Sequence, residues 1–337
     1  MSGYILNGKT GKTLKDLTFE KFKEEKAKTP KALYKHYPNI ISNDGRNYSQ
    51  ETLETGKVFI ADPQSFDDPY DCDFCFDDTV LKKDVIVQLA GECGITISIP
   101  KSEYGLLEDI VKSIRDKSNE RIVNEVFSGY STNPNISIYS AVIIAVKNNL
   151  AESDSDIVKQ VEKTIANMVS VPVSAFKKLR IACFTDRNNS IPMWSFYSNS
   201  HNGFCIEIEI DQTNKGRLFP VIYSDERLDS NEFVRKILFN EKRHVDDNEI
   251  ENSFMLTMLH KSMEWSSQNE WRLVLPPNQL VDGNPKDVGK IRKVFLGVKM
   301  PECERKKIIA ICKGKGYECY EMKMQKDKYA LSAEKIL

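Results

Sequence analysis

The stretch C-F-T-D-R-N-N-S-I-P-M-W-S-F-Y-S-N-S-H-N-G-F-C-I-E-I-E-I, residues 183–210, sets two aromatic rings, an imidazole and a guanidinium directly before a strand. In its last part Phe204, Ile206, Ile208 and Ile210 alternate with Cys205, Glu207 and Glu209. Period-two alternation of this kind is a strand with one apolar face. Before it, Ser190 and Pro192 read as the cap and first turn of a short helix. Trp194 and Tyr197, three apart, are expected to share a face of that helix. Gly203 is expected to permit the turn into the strand.

Outward from this stretch the pattern changes twice. Toward the N-terminus, residues 80 to about 180 place apolar side chains at helical spacing, broken by Gly94, Pro100, Gly129 and Pro134. Earlier still, A-L-Y-K-H-Y-P-N predicts a strand stopped at Pro38, Ser49 is expected to cap a helix closed by Gly56, and Lys57 to Ala61 read as another strand. Residues 1 to about 30 form a Lys-rich extension, frayed or helical, with Leu14, Leu17 and Phe22 as a thin apolar stripe. Toward the C-terminus, L-F-P-V-I-Y-S is expected as one strand, residues 226 to about 262 as charged helix, and S-S-Q-N-E-W-R-L-V-L-P-P as a strand. A further strand K-V-F-L-G-V-K-M, a glycine-ended helix and a last strand Y-E-C-Y-E-M-K-M follow. The order predicts an α+β protein: a central mixed or antiparallel sheet in a single domain over 31–337, with a helical insertion at about 80–180.

The chain has 337 residues and a formal net charge of −1, which gives no global pull toward nucleic acid or an acidic membrane. The start lacks an apolar core, and no apolar run approaches a membrane span, so a cytoplasmic, non-membrane protein is expected. Its eight cysteines are then expected as free thiols. Cys72 and Cys75 have C-x-x-C spacing without the second pair that a zinc site needs. The four histidines, His36, His201, His244 and His260, make no pair at metal spacing, and no phosphate-loop, serine-elbow or zincin motif is present.

Four places concentrate chemistry: Tyr34 to Tyr37, Ser65 to Pro69, the stretch 183–203, and Glu270 with Arg272. Glu270 and Arg272 share the strand face opposite Trp271, Leu273 and Leu275. They line a cleft or form a solvated surface pair, and the pattern alone favours the surface pair. Asp67, Asp68, Asp71 and Asp73 would suit a divalent cation or a series of turns, and turns are favoured. The 183–203 stretch reads as a hydrophobic plug, or as a platform for a flat ligand beside the cationic Arg187.

Leu33-Tyr34-Lys35-His36-Tyr37, followed by T-L-E-T-G-K-V-F-I-A-D-P-Q-S-F-D-D-P-Y-D-C at 52–72, resembles the start of the domain of unknown function 2971 family. S-I-P-M-W-S-F-Y-S-N-S-H-N-G-F-C-I-E-I at 190–208, N-E-W-R-L-V at 269–274 and K-V-F-L-G-V-K-M at 293–300 resemble its later blocks, in order. Asp67 stands where the family usually has Asn, and Phe196 where His is common. The arrangement is also similar to the ADP-ribosyltransferase plan, which binds NAD in the cleft of a split sheet. Some family members are said to lie near abortive-infection genes.

These resemblances imply a toxin or phage-defence effector that consumes NAD and modifies a protein or nucleic acid, with a partner defence protein possible. They imply catalytic roles for Glu270, Tyr197 and His201, and NAD contacts from Tyr34, Lys35, His36, Ser65, Arg187, Trp194 and Arg272. No metal is implied. The alternatives are a Mg²⁺-dependent nuclease built on the acidic loop, and a non-enzymatic sensor that binds a partner through the helical insert.

Overall fold

The computed structural model describes residues 14–73, 77–97, 102–115, 138–176, 178–238, 256, 258–276 and 284–337. The chain divides into two compact units, one of residues 1–72, 178–227 and 258–337, the other of residues 73–177 and 228–257.

The first unit is built on strands β1 (Leu33–Tyr37), β2 (Arg180–Thr185), β3 (Phe204–Ile210), β4 (Leu218–Pro220), β5 (Ile222–Ser224), β6 (His260–Ser262), β7 (Glu270–Leu275), β8 (Gly289–Leu296), β9 (Glu318–Met324) and β10 (Leu331–Lys335). Eight of them form one sheet in the order β10-β9-β8-β3-β1-β2-β7-β4. Every neighbouring pair is antiparallel except β8 with β9, whose parallel pairing needs the crossover helix Glu302–Lys315. That helix ends on Gly316 at φ 73°, as its glycine predicts. The unit is thus α+β with a large mixed sheet.

The alternation of β3 sorts its side chains as expected. Phe204, Ile206, Ile208 and Ile210 enter the main core with Leu33, Phe184, Trp271 and Leu273. Cys205 lies on the opposite face, in a second cluster with Trp194, Phe295 and Met322. Glu207 is buried on that face too, and Glu209 is the exposed member of the strand. Both faces of the sheet centre are therefore covered.

β1 and β3 are in register over five residues, whereas β1 meets β2 at the pair Tyr34↔Thr185. Beside that pair the Lys35 ammonium donates to the Cys183 carbonyl at 3.0 Å.

Several local expectations are corrected. The helix Tyr48–Thr55 is capped by Asn47, whose side chain accepts from the Gln50 amide, not by Ser49. Lys57 to Ala61 form no strand; Val58 and Ala61 make isolated bridges to Lys286 and Ile181. L-F-P-V-I-Y-S breaks at Val221, whose amide bonds Glu270 O, so β4 joins the large sheet and β5 pairs with β6. Y-E-C-Y-E-M-K-M is not the last strand, since β10 returns along it. Within 226–262 the described helix is Asn231–Leu238, and 239–255 lie outside the described residues. The N-terminal extension is helical over Leu14–Ala27, with Phe22 buried against Phe219 and Lys26 donating to the carbonyls of Gly216 and Leu218.

The second unit packs the helices Asp78–Glu92, Glu103–Arg115, Ile138–Asn148, Asp154–Phe176 and Asn231–Leu238. Stripes such as Leu106, Leu107, Ile110, Val111 and Ile114 are buried, as their spacing requires. No helix among the described residues is long and apolar enough to cross a membrane.

Candidate functional site

A cleft of about 420 Å³ lies on the sheet face opposite the main core, within the first unit. Its floor comes from β1, β2 and β7, one wall from the helix Ile191–Tyr197, another from residues 61–71, and a third from the 3-10 turn Met263–Gln268. Asn269, left-handed at φ 44°, ends that turn and starts β7 with Glu270 facing the cleft.

Glu270 belongs to a buried network of two acids and two bases. Arg272 Nε donates to Glu270 Oε1 at 2.7 Å, and Lys261 Nζ donates to Oε2 at 2.9 Å. Arg272 Nη2 bonds both oxygens of Asp71, at 2.7 and 2.8 Å, and Lys261 lies 3.1 Å from Asp71 Oδ2. Arg272 Nη1 donates to Met258 O and Cys72 Sγ. The surface-pair reading of Glu270 and Arg272 is thus overturned: Arg272 is 0% exposed. Charges buried this way persist because each is paired and hydrogen-bonded. Burial works to raise the Glu270 carboxyl pKa, but Arg272 and Lys261 outweigh it and hold the group below the ordinary carboxylate value. Burial also opposes the charge on Lys261, and Glu270 and Asp71 overcome it, so its pKa is raised.

The walls are aromatic. Phe196 is 73% exposed and Tyr197 38% exposed, with Phe66 and Trp265 also lining the cleft. The Tyr197 hydroxyl accepts from Gln268 Nε2 at 2.9 Å, and Lys261 Nζ donates to Gln268 Oε1 at 3.0 Å. Lys35 also lines the cleft; burial lowers its pKa against the pull of nearby Cys183 and Glu270. His36 shares Nδ1 with Ser198 Oγ at 3.1 Å, and its buried Nε2 has no partner among the described residues. Burial, then Lys35, depresses its pKa to about 3, so it is neutral.

Of the residues expected at the site, Tyr34, Lys35, His36, Ser65, Tyr197 and Glu270 line one cleft. Four do not. Trp194 is 0% exposed, wedged between His36 and His201, with Nε1 donating to Asn188 O at 2.6 Å. It is therefore a structural ring, and it does not share a solvent face with Tyr197. Phe196, not expected, takes the exposed position. Arg187 pairs with Asp186 at 3.2 Å outside the cleft. His201 Nε2 sits 3.3 Å from Ser195 Oγ, also outside it. Arg272 lies beneath the floor, its donors already used.

The turn before β3 is corrected as well. Asn199, Ser200 and His201 carry the left-handed φ values of 47°, 53° and 71°, rather than Gly203. Gly203 is required for another reason: a Cβ there would sit 2.0 Å from Tyr37 O. Ser190 occupies the N-cap position without a side-chain bond.

The acidic loop separates by role. Asp67 and Asp68 line the cleft, Asp68 accepts from the Tyr70 amide as a turn former, and Asp71 is taken up by Arg272 and Lys261 rather than by a turn. Among the described residues, no group of three or more His, Cys, Asp or Glu is placed to hold a metal. Cys75 lies outside the described residues. Sequence reasoning missed Lys261, Gln268, Phe196 and Trp265; Gln268 stands two residues before Glu270, but nothing periodic marks Lys261.

Residues 193–273 match the family described as protein of unknown function (DUF2971). Over this stretch the chain is similar to the DUF2971 family. The match runs from Met193 on the cleft wall through Glu270 to Leu273 on β7, and so takes in Tyr197, Lys261 and Gln268. No curated protein and no solved structure matches the chain.

Proposed function

We propose that the cleft binds NAD and that the chain transfers its ADP-ribosyl group to a protein or nucleic-acid acceptor. The observation that carries this reading is the Glu270 carboxylate, held ionised on the floor of an aromatic-walled cleft beside Lys35. Breaking the nicotinamide–ribose bond sends the electron pair to the pyridinium nitrogen and leaves an oxocarbenium-like ribose, as in glycoside hydrolysis. A carboxylate kept ionised by its neighbours stabilises that cation through the field it already has in place. The acceptor's nucleophilic atom then bonds to the anomeric carbon and gives up its proton. Phe196 and Tyr197 offer faces for a flat ring. On this reading Lys35 serves the pyrophosphate, and Tyr34 and His36 serve the ribose or carboxamide groups, because all three line the cleft. An acceptor in a defence or toxin setting follows from the family resemblance alone.

A second reading has its own support. Both oxygens of Glu270 already accept hydrogen bonds from bases, which suits a carboxylate that shapes a binding pocket without chemistry. Calorimetric titration with NAD, beside Glu270→Gln and Tyr197→Ala, separates the two. The transferase reading expects wild-type binding, weakened by Tyr197→Ala, and nicotinamide release that is lost in Glu270→Gln while binding persists. Binding without nicotinamide release, with or without acceptor, favours the pocket reading; no binding by wild type overturns the NAD assignment.

A further inference from the structure

We propose that Gln268 fixes Tyr197 as a hydrogen-bond donor toward an oxygen atom of the cleft's ligand. The inference rests on the reading of this cleft as the ligand site and adds what the ligand must present there.

The direction follows from three contacts in series. Lys261 has only donors, and its ammonium approaches Gln268 within 3.0 Å, so the Gln268 atom facing it is the carbonyl oxygen. The opposite amide orientation would set an NH₂ against an ammonium already anchored by Glu270 and Asp71. With Oε1 so placed, Nε2 faces Tyr197 and donates to its hydroxyl oxygen at 2.9 Å. The Tyr197 hydroxyl proton is then uncommitted, since no contact among the described residues takes it. Gln268 cannot relax away: it is buried, and Thr185 Oγ1 donates to its backbone carbonyl at 2.7 Å. Tyr197 itself is partly exposed on the cleft wall. A carbonyl, phosphoryl or hydroxyl oxygen satisfies the free proton, and a group with donors alone at that position is disfavoured. Gln268 is thus a positioning residue, acting on the ligand through Tyr197.

Gln268→Glu reverses the direction while keeping the shape. One carboxylate oxygen still accepts from Lys261, and the other captures the Tyr197 proton, leaving only lone pairs to the ligand. Gln268→Leu removes the bias altogether, and Tyr197→Phe removes the hydroxyl. The direction is read without ligand by labelling tyrosine at the ring carbon bearing oxygen and following its carbon NMR resonance, assigned through Tyr197→Phe. The Tyr197 resonance is expected to shift in Gln268→Glu and in Gln268→Leu, in different directions. Unmoved resonances in both overturn the proposal, and Gln268→Leu decides it alone if Gln268→Glu does not fold.

The consequence for the ligand is read by NAD calorimetry. Tyr197→Phe is expected to weaken binding about five-fold, the worth of one hydrogen bond to a neutral group. Gln268→Glu weakens it at least as much, and adding Gln268→Glu to Tyr197→Phe costs nothing further. Full NAD affinity in Gln268→Glu overturns the proposal. If wild type does not bind NAD, the NAD reading falls and the resonance alone decides the direction.

Discussion

Arg272 Nη2 lies 2.7 Å from Asp71 Oδ1, a contact that ties together residues 201 positions apart. The same guanidinium holds Glu270 Oε1, so one side chain supports both the loop that walls the cleft and the carboxylate on its floor. Lys261 repeats the pattern from the other side, reaching both Asp71 and Glu270. Two positive and two negative charges close on themselves, and the loss of any one leaves a buried charge uncompensated.

Arg272→Met is therefore expected to cost about 3–5 kcal/mol of folding stability, the range for breaking a buried pair by removing one partner. Arg272→Lys keeps the charge but not the fork, and is expected to recover only part of the loss. Urea unfolding followed by tryptophan fluorescence measures both. A loss below about 1 kcal/mol in Arg272→Met would mean that the network is solvated, as surface pairs are.

Glu270→Gln has a pH signature as well as an effect on turnover. The folded-state pKa of Glu270 lies below the ordinary 4.5, so the stability it contributes is present above that value and drains away as pH falls below it. The variant lacks this contribution at every pH. The stability gap between wild type and Glu270→Gln should then be widest near neutrality and narrow below about pH 4.5. Unfolding curves at several acidic pH values test it, and a gap that stays constant on acidification would contradict the network.

His36 acts on a different window. Its folded pKa is depressed from 6.5 to about 3, so on acidification the unfolded chain takes up the proton first. Stability is expected to fall from pH 6.5 downward, by at most about 1.4 kcal/mol per pH unit for this one group. His36→Gln removes the titrating group and should flatten that slope. His260, depressed to about 4, and His201, whose pKa burial and Lys299 also lower, add their own shares, so a residual slope remains. A slope unchanged in His36→Gln would place His36 in contact with water.

Much of this fold was legible because the signals are local. The alternation of Phe204 to Ile210, the heptad-like stripe of Leu106 to Ile114 and the Gly316 stop each depend on neighbours in sequence, and each holds. What failed depends on distant partners. The break at Val221 occurs because its amide bonds Glu270 O, and β10 exists because β9 offers it an edge. At the site, the i, i+3 spacing of Trp194 and Tyr197 says nothing about which ring meets solvent; the His36 and His201 rings packed against Trp194 decide that. Asp71 looked like one turn-forming acid among four, because the bases that claim it lie about two hundred residues downstream.

Two glycines at one backbone crossing make the last prediction. A Cβ at Gly203 would meet Tyr37 O at 2.0 Å, and one at Gly297 would meet His201 O at 2.1 Å. Neither glycine has a positive φ, so neither is kept for backbone freedom. They are kept because three backbone segments pass through one point: Gly297 N donates to Gly203 O at 2.9 Å, and Lys299 N to His201 O at 3.0 Å. This clamp fixes the left-handed run Asn199 to His201 and, through it, the end of the helix that carries Phe196 and Tyr197. The obstructing atoms are backbone and cannot rotate away, so Gly203→Ala and Gly297→Ala should each cost more than the roughly 1–3 kcal/mol of ordinary overpacking. Gly314, whose Cβ would meet open space inside a helix, is the control, and Gly314→Ala should be neutral or stabilising. Thermal melts of the three variants decide the matter. If Gly203→Ala melts with Gly314→Ala, the segments do not touch as described.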